Sequence, residues 1–202
     1  MTLISPQQVT AVILAGGMGK RMGGLDKGQV KLNGQPLIDY IIAAIRPQVA
    51  AILINANRNQ DLYSRFGYPV LSDQLQDYQG PLAGFTVGMH AATTSYIVTI
   101  PCDGPFVAPD LVARLLSALN SQTAALAVAH DGARIQPVYA LIPVSLRNSL
   151  DDFLASGQRK IECWYTEHKI ALADFSDLPQ AFTNINSPAD RKRLERNLAT
   201  RP

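Results

Sequence analysis

Between Gly16 and Gly28 the sequence reads Gly-Gly-Met-Gly-Lys-Arg-Met-Gly-Gly-Leu-Asp-Lys-Gly, and six of the chain's 14 glycines fall in this stretch. Lys20, Arg21 and Lys27 share it with one acid, Asp26, giving a local charge of +2. Glycines let a backbone turn tightly and turn successive N–H groups toward an anion. Neighbouring Lys and Arg side chains add the positive potential that a polyphosphate requires. The chemistry this suggests is the cradling of a nucleotide's phosphates. Two common phosphate loops do not fit. A Walker loop needs Gly-Lys followed by Ser or Thr, which no window here supplies. The run Gly17-Met18-Gly19-Lys20-Arg21-Met22 opens like a dinucleotide fingerprint but ends on Met22 instead of Gly or Ala.

The loop follows an apolar run, Val9–Ala15, and further runs lie at Ala51–Asn55, Val70–Ser72 and Tyr96–Pro101. Helical patterns separate them. Leu37, Ile38, Ile41, Ile42 and Ile45 share one helix face, with Pro36 suited to the first turn and Pro47 to stop it. Asn59 is placed to cap a short helix through Phe66. Pro81–Ala92 reads as a helix weakened by Gly84 and Gly88, and Pro109–Ser121 as one with Leu111, Leu115, Leu116 and Leu119 on one side. Strands that are apolar without alternation are covered on both faces, as in a parallel sheet. The expected fold is therefore a single-domain, doubly wound, Rossmann-like α/β structure with a mostly parallel sheet and helices on both faces. Ligands of such sheets bind at the carboxyl ends of the strands. That directs attention to Ala15 onward, Asn55 onward, Ser72–Asp73 and Pro101–Asp103.

The second half differs. Ala124–His130 and Arg134–Ile142 flank the hairpin signal Asp131-Gly132, Pro143 ends the pair, and Val144–Ser156 reads as a helix stopped by Gly157. Lys169–Asp174 and Phe182–Asn184 are expected as short strands, and Ser187-Pro188 as the start of a last helix through Leu198. Arg191, Lys192, Arg193 and Arg196 make that helix locally basic, which reads as a solvated face.

Composition narrows the classes. With 18 Lys plus Arg against 16 Asp plus Glu in 202 residues, the net charge of +2 argues against a general nucleic-acid binder, and 47% hydrophobic residues argue against disorder. Two cysteines do not staple a fold of this size. Met1–Thr10 lacks the charged start of a signal peptide, and no apolar run approaches the roughly 20 residues of a membrane span. A soluble, cytoplasmic protein with Cys102 and Cys163 reduced is expected. Cys102 reads as a small hydrophobe and Trp164 as a core residue, and His90, His130 and His168 lie too far apart in sequence to suggest a zinc site.

Taken jointly and in order, several motifs resemble those of nucleotidyltransferases. They are Leu14-Ala15-Gly16-Gly17, Arg21-Met22-Gly23, Asp26-Lys27 and Leu32-Asn33-Gly34-Gln35-Pro36-Leu37. Asn55-Ala56-Asn57-Arg58, Ser72-Asp73, Gly80-Pro81-Leu82-Ala83-Gly84, Pro101-Cys102-Asp103-Gly104-Pro105 and Asn184-Ile185-Asn186-Ser187-Pro188 follow. The match is nearest to the molybdenum cofactor guanylyltransferase family. The second glycine of Leu14-Ala15-Gly16-Gly17 and the run Cys102-Asp103-x-Pro105 resemble guanylyl members, whereas cytidylyl relatives more often carry Ala-Ala-Gly. Gly104 departs from the larger residue often found there.

The resemblance implies transfer of GMP from GTP to the terminal phosphate of molybdopterin, with Mg²⁺ as cofactor. It implies that Leu14, Ala15 and Gly16 line the nucleotide through their backbone and that Gly17 approaches its phosphates. Lys27 is implied as the main phosphate contact, Arg21 as a second, and Asn55 and Asp73 as nucleotide contacts. Asp103, just past an apolar strand, is placed to hold Mg²⁺, which commonly takes one or two protein carboxylates plus phosphate oxygens and water. The nucleotide part would lie within about residues 1–105 and the acceptor part within about 106–202. A monomer is expected, with GTP and molybdopterin as partners, transient contact with molybdoenzymes or their chaperones, and neither nucleic acid nor membrane. The alternatives are a molybdenum cofactor cytidylyltransferase or sugar-phosphate nucleotidyltransferase of the same fold, or a non-catalytic GTP-binding regulator.

Overall fold

The computed structural model describes residues 4–16, 26–73 and 80–199, with side chains as far as Arg196. Among them, four apolar runs become mutually parallel neighbours: β1 (Val9–Leu14), β4 (Ala51–Asn55), β5 (Val70–Leu71) and β6 (Tyr96–Pro101). Between β1 and β4 a small antiparallel pair, β2 (Lys31–Leu32) and β3 (Gln35–Pro36), stands apart from the main sheet. The turn between them uses Asn33 and Gly34 at φ 49° and 82°. The second half adds β7 (Leu126–His130), β8 (Ile135–Pro143) and β9 (Ile170–Asp174). The seven-stranded order is β5-β4-β1-β6-β8-β7-β9. Of its pairings, only those of β8 with β6 and β7 are antiparallel, so the expected mostly parallel α/β sheet is present.

Helices cover both faces. On one side α1 (Leu37–Ile45) and α4 (Leu111–Gln122) pack Ile38, Ile41, Ile45, Leu111 and Leu115 against Ala11 and Ile13 of β1. On the other, α3 (Pro81–Ala91), α5 (Arg147–Ala155) and α6 (Ile161–Thr166) pack Leu82, Phe85, Leu150, Phe153 and Trp164 with Val12. Successive strand residues point to opposite faces. Alternate residues of β1 thus enter different cores, which is why its sequence carries no polar alternation. Trp164 is fully buried, as expected, and its Nε1 donates to Ser149 Oγ at 3.2 Å.

The glycines of α3 are packing residues. A Cβ on Gly88 would lie 2.5 Å from Val12 Cγ2, and one on Gly84 would lie 2.5 Å from Asn55 Oδ1 and 2.6 Å from Leu14 Cδ2. The helix keeps its low-propensity glycines because they let its backbone lie directly on β1 and β4.

Other expectations change in detail. The helix foreseen from Val144 begins as a 3-10 turn, Val144–Leu146, and becomes α-helical at Arg147. Gly157, at φ 87°, ends it. Phe182–Asn184 is not a strand. Pro179–Phe182 forms a 3-10 turn that buries Ala181 and Phe182, since Pro179 offers no N–H to a sheet ladder. Asn59 precedes α2 (Gln60–Ser64) but does not cap it: its backbone is left-handed at φ 52° instead of extended, and its side chain is turned to Asp26, whose Oδ2 accepts from Asn59 Nδ2 at 3.1 Å. The last helix, α7 (Pro188–Ala199), starts as foreseen: Ser187 Oγ accepts from Asp190 N at 3.2 Å and donates to Asp190 Oδ2 at 2.9 Å. Gln122, at the end of α4, donates to Leu172 O at 3.0 Å and accepts from Leu172 N at 3.2 Å, closing part of the outer edge of β9. No described helix is long and apolar enough to cross a membrane.

Candidate active site

The parallel strands β1, β4, β5 and β6 all end at one edge of the sheet, and antiparallel β8 begins there. A cavity of about 810 Å³ opens along this edge. One wall carries Leu14, Ala15, Gly16, Asn55, Asp73, Gly80 and Pro81. The opposite wall carries Arg134 to Tyr139 of the β7–β8 hairpin and Glu162 of α6. Lys27, Asp103 and Asn184 stand between them.

The central contact is an ion pair. Lys27 Nζ donates to Asp103 Oδ2 at 2.7 Å and to Asn186 Oδ1 at 2.8 Å. Both charged side chains are largely covered, at 24% and 12% exposure. Lys27 begins a 3-10 turn whose preceding residue, Asp26, is buried and anchored three ways. Asp26 Oδ1 accepts from Gly28 N at 3.3 Å and from the Tyr63 hydroxyl, while Oδ2 accepts from Asn59. Burial, with Cys102 and Asp26 adding to it, pushes the Tyr63 phenol far above its ordinary value, so it remains a donor. Asp26 therefore faces inward to the fold, and the next side chain faces the cavity.

At the nucleotide wall, Asn55 Nδ2 donates to Asp73 Oδ1 at 2.8 Å and Asn57 Nδ2 to Asp73 Oδ2 at 2.6 Å, while Asp73 N donates to Asn57 Oδ1 at 2.8 Å. The Asp73 carboxylate is thus held at the strand end by two amides. Ala15 N donates to Asn55 O at 2.7 Å, extending the β1–β4 ladder into the cavity wall.

Among the described residues, Asp103 Oδ1 is buried and meets no hydrogen-bond partner, and neither do Asn184 Oδ1 and the Tyr139 hydroxyl. The last two atoms border Gly104, the residue after Asp103. A Cβ there would overlap the Tyr139 hydroxyl and lie 3.1 Å from Asn184 Oδ1. Ile185 N donates to Asp103 O at 2.8 Å, which ties the Asn184–Asn186 segment to the end of β6. A buried carboxylate with an unused oxygen has acceptor capacity to spare, which fits it to hold a cation. Among the described residues no group of three His, Cys, Asp or Glu side chains forms a metal cage. Mg²⁺ bound through one carboxylate, phosphate oxygens and water does not need one. Burial, with Asp103 close by, raises the Cys102 thiol well above its ordinary range, so Cys102 stays a neutral packing group.

Of the residues singled out in the sequence, Leu14, Ala15, Gly16, Lys27, Asn55, Asp73 and Asp103 line this one cavity. Gly17 and Arg21 lie outside the described residues. Asn57, Asn184 and Asn186 sat inside quoted motifs, and the structure gives them contacts. Tyr139, Gln136 and Glu162 lay in no motif; the β8 reversal brings the first two to the site and α6 brings the third.

The family of MobA-like NTP transferase domains matches residues 11–171. The chain belongs to this family. The MobA-like chain is 51% identical to the molybdenum cofactor guanylyltransferase of Shewanella loihica, over 97% of its own length and 100% of the relative's. It is 52% identical to the enzyme of that name from Shewanella sediminis, over 95% and 98% of the two lengths. Among solved structures it resembles molybdopterin-guanine dinucleotide biosynthesis protein A from Archaeoglobus fulgidus, with a TM-score of 0.79 and 22% identity, covering 95% of this chain and 100% of that one. At that identity the likeness carries the fold. As a member of the family, this MobA-like chain is a nucleotidyltransferase.

Proposed function

We propose that the chain transfers GMP from GTP to the terminal phosphate of molybdopterin, releasing pyrophosphate, with Mg²⁺ bound at Asp103. An oxygen of the molybdopterin phosphate attacks the α-phosphorus, a new phosphoanhydride bond forms, and the bond to the β-phosphate oxygen breaks. Pyrophosphate leaves with that electron pair. The observation that carries this reading is the Lys27–Asp103 pair, set between two cavity walls built by different halves of the chain.

Both reactants are anions, so catalysis rests on neutralising charge and holding them in line. Leu14–Gly16, Asn55 and Asp73 form the nucleotide wall, and the roles proposed for Gly17 and Arg21 are contacts to the phosphates. Two acceptors on Asp73 suit the N–H edge of guanine. Lys27 supplies positive charge at the phosphates, and Asn186 keeps its ammonium over the centre of the cavity. Mg²⁺, when bound, would polarise the phosphate oxygens, and the Asp103 carboxylate would hold it once Lys27 serves the phosphates. The β8 wall and Glu162 receive the acceptor. In this reading residues up to about 105 serve the nucleotide and the later ones the acceptor. All these groups belong to one chain, so a monomer suffices. Delivery to a molybdoenzyme or its chaperone would follow by transient contact.

The test offers each nucleoside triphosphate with Mg²⁺ and molybdopterin and measures pyrophosphate. Release with GTP alone supports the proposal. Release with CTP alone selects a cytidylyltransferase, and GTP binding with no release selects a binding protein.

A further inference from the structure

Tyr139 is 2% exposed, and among the described residues its hydroxyl has no hydrogen-bond partner. A buried hydroxyl so placed keeps its full desolvation cost uncompensated. Its ring is nonetheless firmly set. Tyr139 packs edge-on against Phe182 at 4.9 Å, Phe182 against Phe175 at 5.4 Å, and the Arg114 guanidinium lies 5.0 Å over Phe175. Two ion pairs, to Asp110 and Asp177, fix Arg114 in turn. A rigid stack therefore holds an unsatisfied donor at the floor of the cavity. Gly104 makes room for it, since any side chain there would overlap the hydroxyl.

The nearest candidates to accept from that donor are themselves unpartnered. Asn184 Oδ1 borders the same space, and Asp103, the residue before Gly104, has a free Oδ1. Among the described residues, Asp103 has a single side-chain partner, Lys27, on Oδ2. In the proposed reaction Lys27 is needed at the phosphates.

We propose that Tyr139 is a positioning residue for Asp103: its hydroxyl donates to Oδ1 when Lys27 turns from Oδ2 to the nucleotide phosphates, and so keeps Oδ2 aimed at the cation. This inference rests on the reading of Asp103 as the Mg²⁺ residue. A carboxylate that loses its only partner is free to rotate, and a donor behind it removes that freedom. Partners of this kind typically change metal affinity or activity 10–100-fold when lost. The pair with Lys27 on Oδ2 sets how the Asp103 carboxylate is turned, and in that setting Oδ1 and the Tyr139 hydroxyl are both left without a bond.

Tyr139→Phe removes the hydroxyl alone and tests this with three readouts. In the ligand-free protein the melting temperature is expected to hold or rise, because an unsatisfied buried hydroxyl has been deleted. By calorimetry, GTP binding in EDTA is expected to be unchanged, while the tightening produced by Mg²⁺ falls about tenfold. In turnover, kcat is expected to fall with KM for molybdopterin unchanged. Gly104→Ala, which keeps the hydroxyl but pushes it aside, should lose the same Mg²⁺ dependence, and the double variant should be no worse than Tyr139→Phe. A parental Mg²⁺ effect in Tyr139→Phe, whatever its melting temperature, overturns the proposal, and so does additive loss in the double variant. If the parent releases no pyrophosphate from GTP, the transfer reaction is wrong, yet the melting and Mg²⁺-binding readouts still decide the role of Tyr139.

Discussion

Lys27 Nζ and Asp103 Oδ2 meet at 2.7 Å across 76 residues of sequence, with Asn186 closing the other side of the ammonium. In the partly buried site each charge neutralises the other. Removing either leaves the other without its counter-ion, in addition to whatever it does for a substrate. Lys27→Ala is therefore expected to lower kcat/KM for GTP by about 100- to 1,000-fold, the size of losing one preorganised charge-stabilising group. Asp103→Ala should abolish Mg²⁺-dependent turnover while circular dichroism remains that of the parent. Steady-state pyrophosphate release checks both. Parental kcat/KM in Lys27→Ala, or parental turnover in Asp103→Ala, would remove these residues from the site.

Gly88→Ala would normally stabilise a helix by about 1 kcal/mol. Here the added Cβ meets Val12 Cγ2 at 2.5 Å and Cγ1 at 3.0 Å, both in a fully buried strand residue. The clash should win, lowering stability by about 1–3 kcal/mol in urea unfolding. Val12→Ala in the same chain should restore part of it. A Gly88→Ala protein more stable than the parent would refute the close approach of α3 to β1.

Tyr63→Phe deletes one of the donors to the buried Asp26 carboxylate and leaves the others in place. The expected cost is about 1–3 kcal/mol of stability. Lys27 follows directly on this anchor, so KM for GTP should rise as well. Chemical denaturation and GTP titration of one preparation measure the two effects. Stability lost with GTP affinity intact would mean that Lys27 is positioned without Asp26.

Asp131 holds the hairpin that brings Arg134 and Gln136 to the cavity. Its carboxylate accepts from Arg134 N at 2.8 Å, Ala133 N at 2.9 Å and Gln136 Nε2 at 2.6 Å. Bonds from Arg134 N first, then Ala133 N, hold its pKa below the ordinary 3.8. A depressed carboxylate stabilises the fold above its ordinary pKa, and that contribution fades as pH falls through the lower, folded value. Asp131→Ala should therefore melt below the parent near neutrality, and the gap should close as the pH falls below 3.8. A gap that stays constant with pH would assign the effect to turn geometry instead of charge.

The strands of the first half were legible because each is a continuous apolar run that stops abruptly at a residue with chemistry: Leu14 before Ala15-Gly16, Pro101 before Cys102-Asp103, and Asn55 ending its own strand. Burial on both faces leaves no other way to write them. The β2–β3 pair and α6 were missed because two-residue strands and a six-residue helix carry too little periodicity to register. Phe182–Asn184 reads as a short strand because Phe and Thr are favoured in strands, yet a neighbouring proline and the aromatic stack of Phe182 with Tyr139 and Phe175 decide its shape. Lys27 and Asp103 were visible within their motifs. Tyr139 was not, since a tyrosine in a strand is ordinary until the antiparallel entry of β8 places its hydroxyl beside Gly104.

The bond from Lys27 to Asn186 spans 159 residues. On the ribosome the nucleotide-facing strands emerge first, and the ammonium of Lys27 then lacks the amide that later holds it. The centre of the cavity is thus complete only when Asn184–Asn186 docks against the end of β6. A nascent chain carries the glycine-rich loop and the carboxylate well before it has a closed site, so capture of nucleotide in the finished arrangement waits until the chain has emerged through Asn186.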